Sequence, residues 1–304
     1  MPTTPLWIAQ PNRYTTPIGC GALLALETNL YWAQPKIPGL RGKVLEYILY
    51  HKNCEDGFGA AWIAWKALGN QAEYIPVQYA ESPPELPDRS KVTIVDFSYP
   101  REVIIELNER MESLWVLDHH KTAAQDLAGL EFATFDMQKS GAILAWEYWF
   151  PGESTPLLLQ YIQDKDLWLF QLENSLEVSA ALRSYPKDFE IWNSLAIDDL
   201  AKDGIAIQRA INIQVSKHVE IATLQNVGGY LVPVVNATCY LSEIGDQLNA
   251  RYSDTPFAAC YFVREDGKRQ WSLRSRGNFD VSEVARRFGG GGHRNAAGYT
   301  EAIE

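Results

Sequence analysis

The rhythm of hydrophobic and polar positions along this chain changes near residue 44. Before it, Pro, Thr and Gly break up the apolar runs, and residues 1–42 carry no readable function. After it, short apolar runs alternate with stretches of helical period. VLEYILY (44–50), KVTIVDF (91–97) and SLWVLD (113–118) have strand length, whereas 60–68 and 101–110 between them read as helices. Strands that are apolar throughout, separated by helices, predict βαβ units and a parallel sheet covered on both faces. Helices are predicted at 140–150 and 156–163, and one or two connecting helices at 198–224. A second unit follows, with YLVPVVN (230–236) as a strand, a helix at 241–252, strands at 257–263 and 271–275, and a helix at 281–288. The expectation is an α/β protein of two domains. An extension (1–42) precedes a parallel-sheet domain (43–195), a helical linker (196–227) and a smaller α/β domain (228–304).

Composition narrows the picture. A chain of 304 residues with 46% hydrophobic content can bury two cores. A net charge of −11 argues against coating nucleic acid through bulk charge. No run approaches the roughly 18 apolar residues of a membrane helix. IGCGALLAL (18–26) lacks a basic front and runs into Glu27, so neither leader nor anchor is expected. The four cysteines, Cys20, Cys54, Cys239 and Cys260, are far apart and form no CxxC pair, which predicts a reduced, cytoplasmic protein.

The chemistry is concentrated where the strands end. The first predicted strand runs into HKNCEDG (51–57), the second into Asp96, and the third into Asp118-His119-His120. Open parallel sheets bind ligands beyond the carboxyl ends of their strands, so three separate stretches should converge on one place. What they deliver is carboxylate and imidazole, a donor set for a hard or borderline cation such as Mn²⁺. Of five histidines, three stand at these strand ends, His293 stands in a glycine loop, and only His218 lies in a plain helical context.

Asp118-His119-His120 resembles the signature of the DHH phosphoesterases, metal-dependent hydrolases of phosphate esters and anhydrides. HKNCEDGFGAA (51–61) resembles the first motif of that family, Asp96 in VDFS the second, and Asp164 in YIQDKDLW (161–168) the fourth. SLRSRGNFDVSEVARRFGGGGHRNAAG (272–298) resembles the DHHA1 substrate-binding domain with its glycine-histidine loop. The resemblance spans about 44–299. It implies two bound ions, Mn²⁺ with Mg²⁺ also accommodated, and it implies metal ligands at His51, Asp56, Asp96, His119 and Asp164. Asp96 would bridge the ions. The first motif departs from the commoner pattern, which has aspartates where Glu55 and Gly57 stand, so Asp56 is the favoured ligand and Glu55 its reserve. Asp166 is the alternative to Asp164. Asp118 would orient a loop or an imidazole, and His120 would contact phosphate or protonate the leaving group.

At the other end of the chain, residues 264–294 hold eight Lys/Arg against four acids, a basic patch on an acidic protein. Such a patch suits a specific anion, and a glycine run lets backbone amides approach a phosphate. Arg274, Ser275, Arg276, Gly290, Gly291, Gly292 and His293 are the expected substrate contacts. The function expected is a phosphodiesterase of short nucleotides, either short RNA oligomers or bisphosphorylated adenosine. Cyclic-dinucleotide hydrolysis and polyphosphate hydrolysis are the enzymatic alternatives, and a noncatalytic nucleotide binder with a decayed metal site is the third. No stable protein partner is implied, and the sequence allows a homodimer.

Overall fold

The computed structural model describes residues 46–79 and 81–303. The predicted extension 1–42, with Cys20 and the run 18–26, lies outside the described residues.

The first layer system is a five-stranded, all-parallel sheet. Its strands are β1 (Glu46–His51), β2 (Ala72–Val77), β3 (Lys91–Val95), β4 (Ser113–Asp118) and β5 (Ala133–Phe135), in the order β2-β1-β3-β4-β5. The helices α1 (Glu55–Leu68), α2 (Arg101–Arg110), α3 (Lys121–Asp126), α4 (Gly141–Trp149), α5 (Leu157–Asp166), α6 (Ser175–Ser184) and α7 (Phe189–Ser194) accompany it. One core, on one face, gathers Ile48, Phe58, Ile63, Leu144, Leu159 and Trp192. The other face packs Leu49, Ile94, Val116, Ile104 and Leu107. Neighbouring residues along β1 thus serve opposite cores, which is why the strand reads as continuously apolar.

A single helix, α8 (Ile197–Glu220), leads to the second sheet. That sheet is mixed, in the order β10-β11-β9-β8-β7-β6, from β6 (Thr223–Val227), β7 (Tyr230–Asn236), β8 (Ala258–Val263), β9 (Lys268–Arg274), β10 (Gly291–Gly292) and β11 (Ala296–Ala302). Two helices, α9 (Leu241–Arg251) and α10 (Val281–Arg286), cover it. Val232, Phe257, Trp271 and Val284 form one of its cores. The other joins Ile244, Leu248 and Ala258 to Ile211 and Val215 of α8 and Ala180 of α6. The expected α/β class with a parallel N-terminal sheet and a smaller second α/β unit is what the structure shows.

Several elements went unpredicted. β2 carries Glu73 and Pro76, and proline is tolerated because the strand lies at the sheet edge. β11 is built from AAGYTEA, too small and polar to read as a strand; it pairs along its whole length with β9. The 198–224 stretch resolves into one 24-residue helix followed by β6.

Candidate metal and substrate site

Because β1, β3 and β4 are parallel neighbours, their last residues meet at one edge. His51 ends β1, Asp96 follows β3, and Asp118 ends β4 with His119 and His120 beyond it. Asp96 has φ of 53°, a left-handed turn that Asp tolerates better than most residues. Its amide donates to the Leu117 carbonyl at 2.9 Å, which ties the turn to β4.

The Asp96 carboxylate looks two ways. Its Oδ1 accepts from His119 Nε2 at 3.1 Å, and its Oδ2 lies 3.4 Å from His51 Nδ1. His119 Nε2 also lies 3.6 Å from Asp56 and 3.5 Å from Asp166. Asp56 is placed by α4: its two oxygens accept from the amides of Gly141, at 2.5 Å, and Ala142, at 2.9 Å, so it caps that helix from the first turn of α1. Gly141 permits this closeness, since a Cβ there would meet the Asp96 side chain at 2.5 Å and Asp56 Oδ2 at 3.0 Å.

Four overlapping donor groups result among the described residues, and two of them flank Asp96. Asp56, His119 and Asp166 form one and His51, Cys54 and Asp96 the other, each with ligand atoms within 4.8 Å of one another. Asp118 is fully buried and stands behind them. Its Oδ1 accepts from the His119 amide at 2.7 Å, the His120 amide at 3.3 Å and His120 Nδ1 at 2.7 Å, which fixes the turn and the His120 imidazole.

Charge in this space is unbalanced. Burial and the neighbouring Asp96 and Asp166 charges push the Asp56 carboxyl well above its ordinary range. Burial pushes Asp166 up as well, against the pull of His119. Burial would raise Asp96 too, but the His119 hydrogen bond and the nearby His51 imidazole hold it well below. Burial alone would lower His119, yet Asp96, Asp166 and Asp56 push it up to about 10. Burial and four surrounding carboxylates push the Cys54 thiol well above its usual value. Among the described residues, Asp96 Oδ2, Asp118 Oδ2, His51 Nδ1 and His119 Nδ1 are buried without a hydrogen-bond partner. Crowded carboxylates with spare acceptor atoms and imidazole nitrogens fit divalent cations of the Mn²⁺ and Mg²⁺ class.

The structure does not bring every expected residue here. Asp164 accepts from the amides of Gln171, at 2.8 Å, and Leu172, at 3.2 Å, so its carboxylate shapes the turn after α5 while Asp166 reaches His119. Glu55 pairs with Lys187 at 3.2 Å, away from the cluster. Cys54 had no expected ligand role, because cysteines in the sequence are weighed by spacing alone. Tyr79 was also missed. Its ring lies 5.3 Å from His51 and 6.0 Å from His120, backed by Phe97 at 4.6 Å, and its residue is 43% exposed.

The second sheet closes over this edge. The His293 ring stacks on His120 at 4.5 Å and lies 4.7 Å from His119, much nearer the carboxylates than a remote substrate contact. Burial and the two imidazoles beside it hold His293 well below its ordinary value, so it stands as a neutral ring. The Gly292 amide donates to Thr122 Oγ1 at 3.0 Å, and a Cβ on Gly291 would meet that hydroxyl at 2.7 Å. Gly290 packs so tightly on Gly298 and Tyr299 that no side chain fits. Lys121 pairs with Asp280, fastening α3 to the start of α10.

Of the expected basic patch, much is neutralised locally: Arg276 pairs with Asp246 at 2.8 Å, Arg286 with Glu283 and Arg269 with Glu301. Arg274 differs. It donates to Ser242 Oγ and to the Leu273 carbonyl, and among the described residues no carboxylate comes within ion-pair distance. Ser275 is spent inside the sheet, donating to the Phe279 carbonyl and accepting from Asn295. Glu243 links the halves, 3.1 Å from both Lys165 and Arg183.

Residues 240–302 match the DHHA1 domain. The uncharacterized protein R106 of Acanthamoeba polyphaga mimivirus is 30% identical over 283 residues, covering 84% of this chain and 67% of that protein. Oligoribonuclease NrnB of Bacillus subtilis is 25% identical over 296 residues, covering 83% of this chain and 72% of that protein. Among solved structures, the pGpG-specific phosphodiesterase PggH of Vibrio cholerae overlays with a TM-score of 0.46 at 12% identity, covering 85% of this chain and 94% of that one.

Proposed function

This chain belongs to the DHH/DHHA1 phosphoesterase family, hydrolases of phosphate ester bonds, and on that footing we propose that it is a manganese-dependent phosphodiesterase of short nucleotides. The observation that carries the proposal is the two-way carboxylate of Asp96, with one oxygen toward His119 and the other toward His51. A single carboxylate between two donor groups could be shared by two cations acting on one phosphate. Asp56, His119 and Asp166 would hold one ion, and His51 with Asp96 would belong to the other. Bound cations would neutralise phosphate charge and lower the pKa of a water.

The chain's own groups have distinct tasks in this reading. Asp118 accepts a hydrogen bond from His120 Nδ1, which leaves the opposite nitrogen of a positively biased ring for the leaving oxygen. Asp56 keeps α4 in place while serving as a ligand. Arg274, without an acidic partner, is available for a phosphate or base at the far end of the substrate. Residues 228–304 act as the substrate-binding unit.

Short substrates are favoured by two things. The His293 stack and the Thr122–Gly292 bond bring the second sheet directly onto the metal-binding edge, and the NrnB relative is an oligoribonuclease. A cytoplasmic setting is in keeping with the absence, among the described residues, of a disulfide at Cys54, Cys239 or Cys260. The test is product analysis with Mn²⁺ and with Mg²⁺ against dinucleotides, longer RNA, bisphosphorylated adenosine, cyclic dinucleotides and polyphosphate. Turnover fastest on dinucleotides or bisphosphorylated adenosine is expected. Preference for cyclic dinucleotides or polyphosphate would replace the substrate assignment, and binding without hydrolysis would make the protein a nucleotide binder.

A further inference from the structure

Cys54 stands at the start of α1, a position that usually calls for Ser, Thr, Asp or Asn to accept an amide of the first turn. It makes no capping hydrogen bond. Nor does it belong to any of the four apolar cores. Asn53 before it turns left-handed, with φ of 60°, and the chain folds back so that the thiol comes within 4.8 Å of ligand atoms on His51 and Asp96. A second observation converges on the same spot. Asp96 is 1% exposed, and its Oδ2, the oxygen turned toward His51, has no hydrogen-bond partner; neither has His51 Nδ1. A sulfur, a nitrogen and a carboxylate oxygen therefore lie together, and among the described residues no hydrogen bond satisfies that nitrogen or that oxygen.

Building on the two-ion reading above, we propose that Cys54 is a metal ligand, so that the His51 end of the site binds through sulfur, nitrogen and oxygen while the His119 end binds through oxygen and nitrogen. The two positions then differ in metal class. Sulfur ligation favours borderline and thiophilic ions such as Zn²⁺, Co²⁺ or Cd²⁺ and disfavours Mg²⁺, whereas Asp56, Asp166 and His119 accept Mn²⁺ or Mg²⁺. The thiol proton is released to solvent as the cation binds.

The experiment is a Co²⁺ titration of the metal-free full-length protein. Bound metal is counted by equilibrium dialysis, and the near-ultraviolet absorption is followed for the sulfur-to-cobalt charge-transfer band. Wild type should bind two ions and show the band, and Cys20→Ser and Cys239→Ser should keep it. Cys54→Ser and Cys54→Asp should lose it while still taking up cobalt, and Cys54→Asp should lower the Cd²⁺-over-Mg²⁺ affinity ratio by at least about tenfold. Two ions bound by wild type without the band would overturn sulfur ligation and leave the two-ion reading standing. One ion with the band would uphold sulfur ligation and overturn the two-ion reading. No cobalt bound would overturn both.

Discussion

Asp164 and Asp166 lie two positions apart at the end of α5, so their side chains leave the helix roughly 200° apart. One turns toward the amides of Gln171 and Leu172, the other toward His119. Motif spacing identifies the stretch but cannot say which carboxylate faces the sheet edge, because that depends on the helix phase set by Leu158, Leu159 and Ile162 in the core. Asp166→Asn should lower kcat by about a hundredfold, the loss of a charged ligand worth roughly 3 kcal/mol, with little change in melting temperature. Asp164→Asn should do the reverse. It weakens two hydrogen bonds to a carboxylate, costing about 1–3 kcal/mol and several degrees of melting temperature. Steady-state kinetics beside thermal melts separate the two, and an inactive but stable Asp164→Asn would return the ligand role to that residue. The same comparison at the first motif should find Glu55→Gln mild, since Glu55 only pairs with Lys187, and Asp56→Asn severe.

At the scale of elements, the clearest constraint is the start of α4. Ser140 caps it with its side chain, Asp56 receives its next two amides, and Gly141 sits where Asp96 and Asp56 leave no room for a Cβ. Intrinsic propensity says Ala is the better helix residue by about 1 kcal/mol. Packing decides otherwise, because contacts of 2.5 and 3.0 Å to Asp96 and Asp56 must be relieved by moving the ligands. Gly141→Ala should therefore weaken Mn²⁺ binding by at least about tenfold, measured by calorimetry, while helical content by circular dichroism is kept. Unchanged metal affinity would show that α4 can shift without disturbing the carboxylates. The sequence exposed β1, β3 and β4 because strands buried on both faces are apolar throughout. It hid β2, where Pro76 and Glu73 are tolerated at an edge, and β11, whose small residues let the glycine loop come close.

The whole molecule depends on contacts between halves that no local pattern announces. Eight basic residues in one stretch read as an anion-binding surface, but half of the ion pairs that quench them come from residues distant in sequence, Asp246 and Glu301. Glu243 is one electrostatic link, beside Lys121 with Asp280. Burial would raise its carboxyl, but Lys165 and Arg183 pull it down to about 2. Lys165 itself is held below its ordinary value, since its burial and the Arg183 charge outweigh Glu243. The pair thus favours the carboxylate more than the ammonium, and the pH dependence follows the carboxylate, which two cations share. A depressed folded-state value gives stability that is complete above the unfolded value near 4.5 and is lost as pH falls toward 2. Glu243→Gln should cost about 2–3 kcal/mol at neutral pH, and the difference from wild type should shrink between pH 4.5 and 2 in denaturant melts. A gap that persists at pH 2 would point to packing instead. Substrate dependence divides the same interface. Arg274→Ala should lower kcat/KM on a dinucleotide by at least about tenfold and spare a small chromogenic diester. His293→Ala, stacked on His120, should lower both. Equal sparing of the small diester by both variants would put His293 outside the reaction centre.

The backbone angle at Asp96 has a practical corollary. A left-handed φ of 53° costs most side chains about 1–2 kcal/mol, while Asn and Gly adopt it readily. Alanine at this position would confound two defects, a strained turn and a missing carboxylate. Asparagine exchanges one oxygen for an amide nitrogen and keeps volume, turn and sheet edge as they were. Asp96→Asn is therefore the substitution suited to arrest conversion while retaining the shape of the cleft. An arrested cleft can serve as bait: incubated with a cell extract and recovered, it retains the nucleotide that the active protein would have consumed.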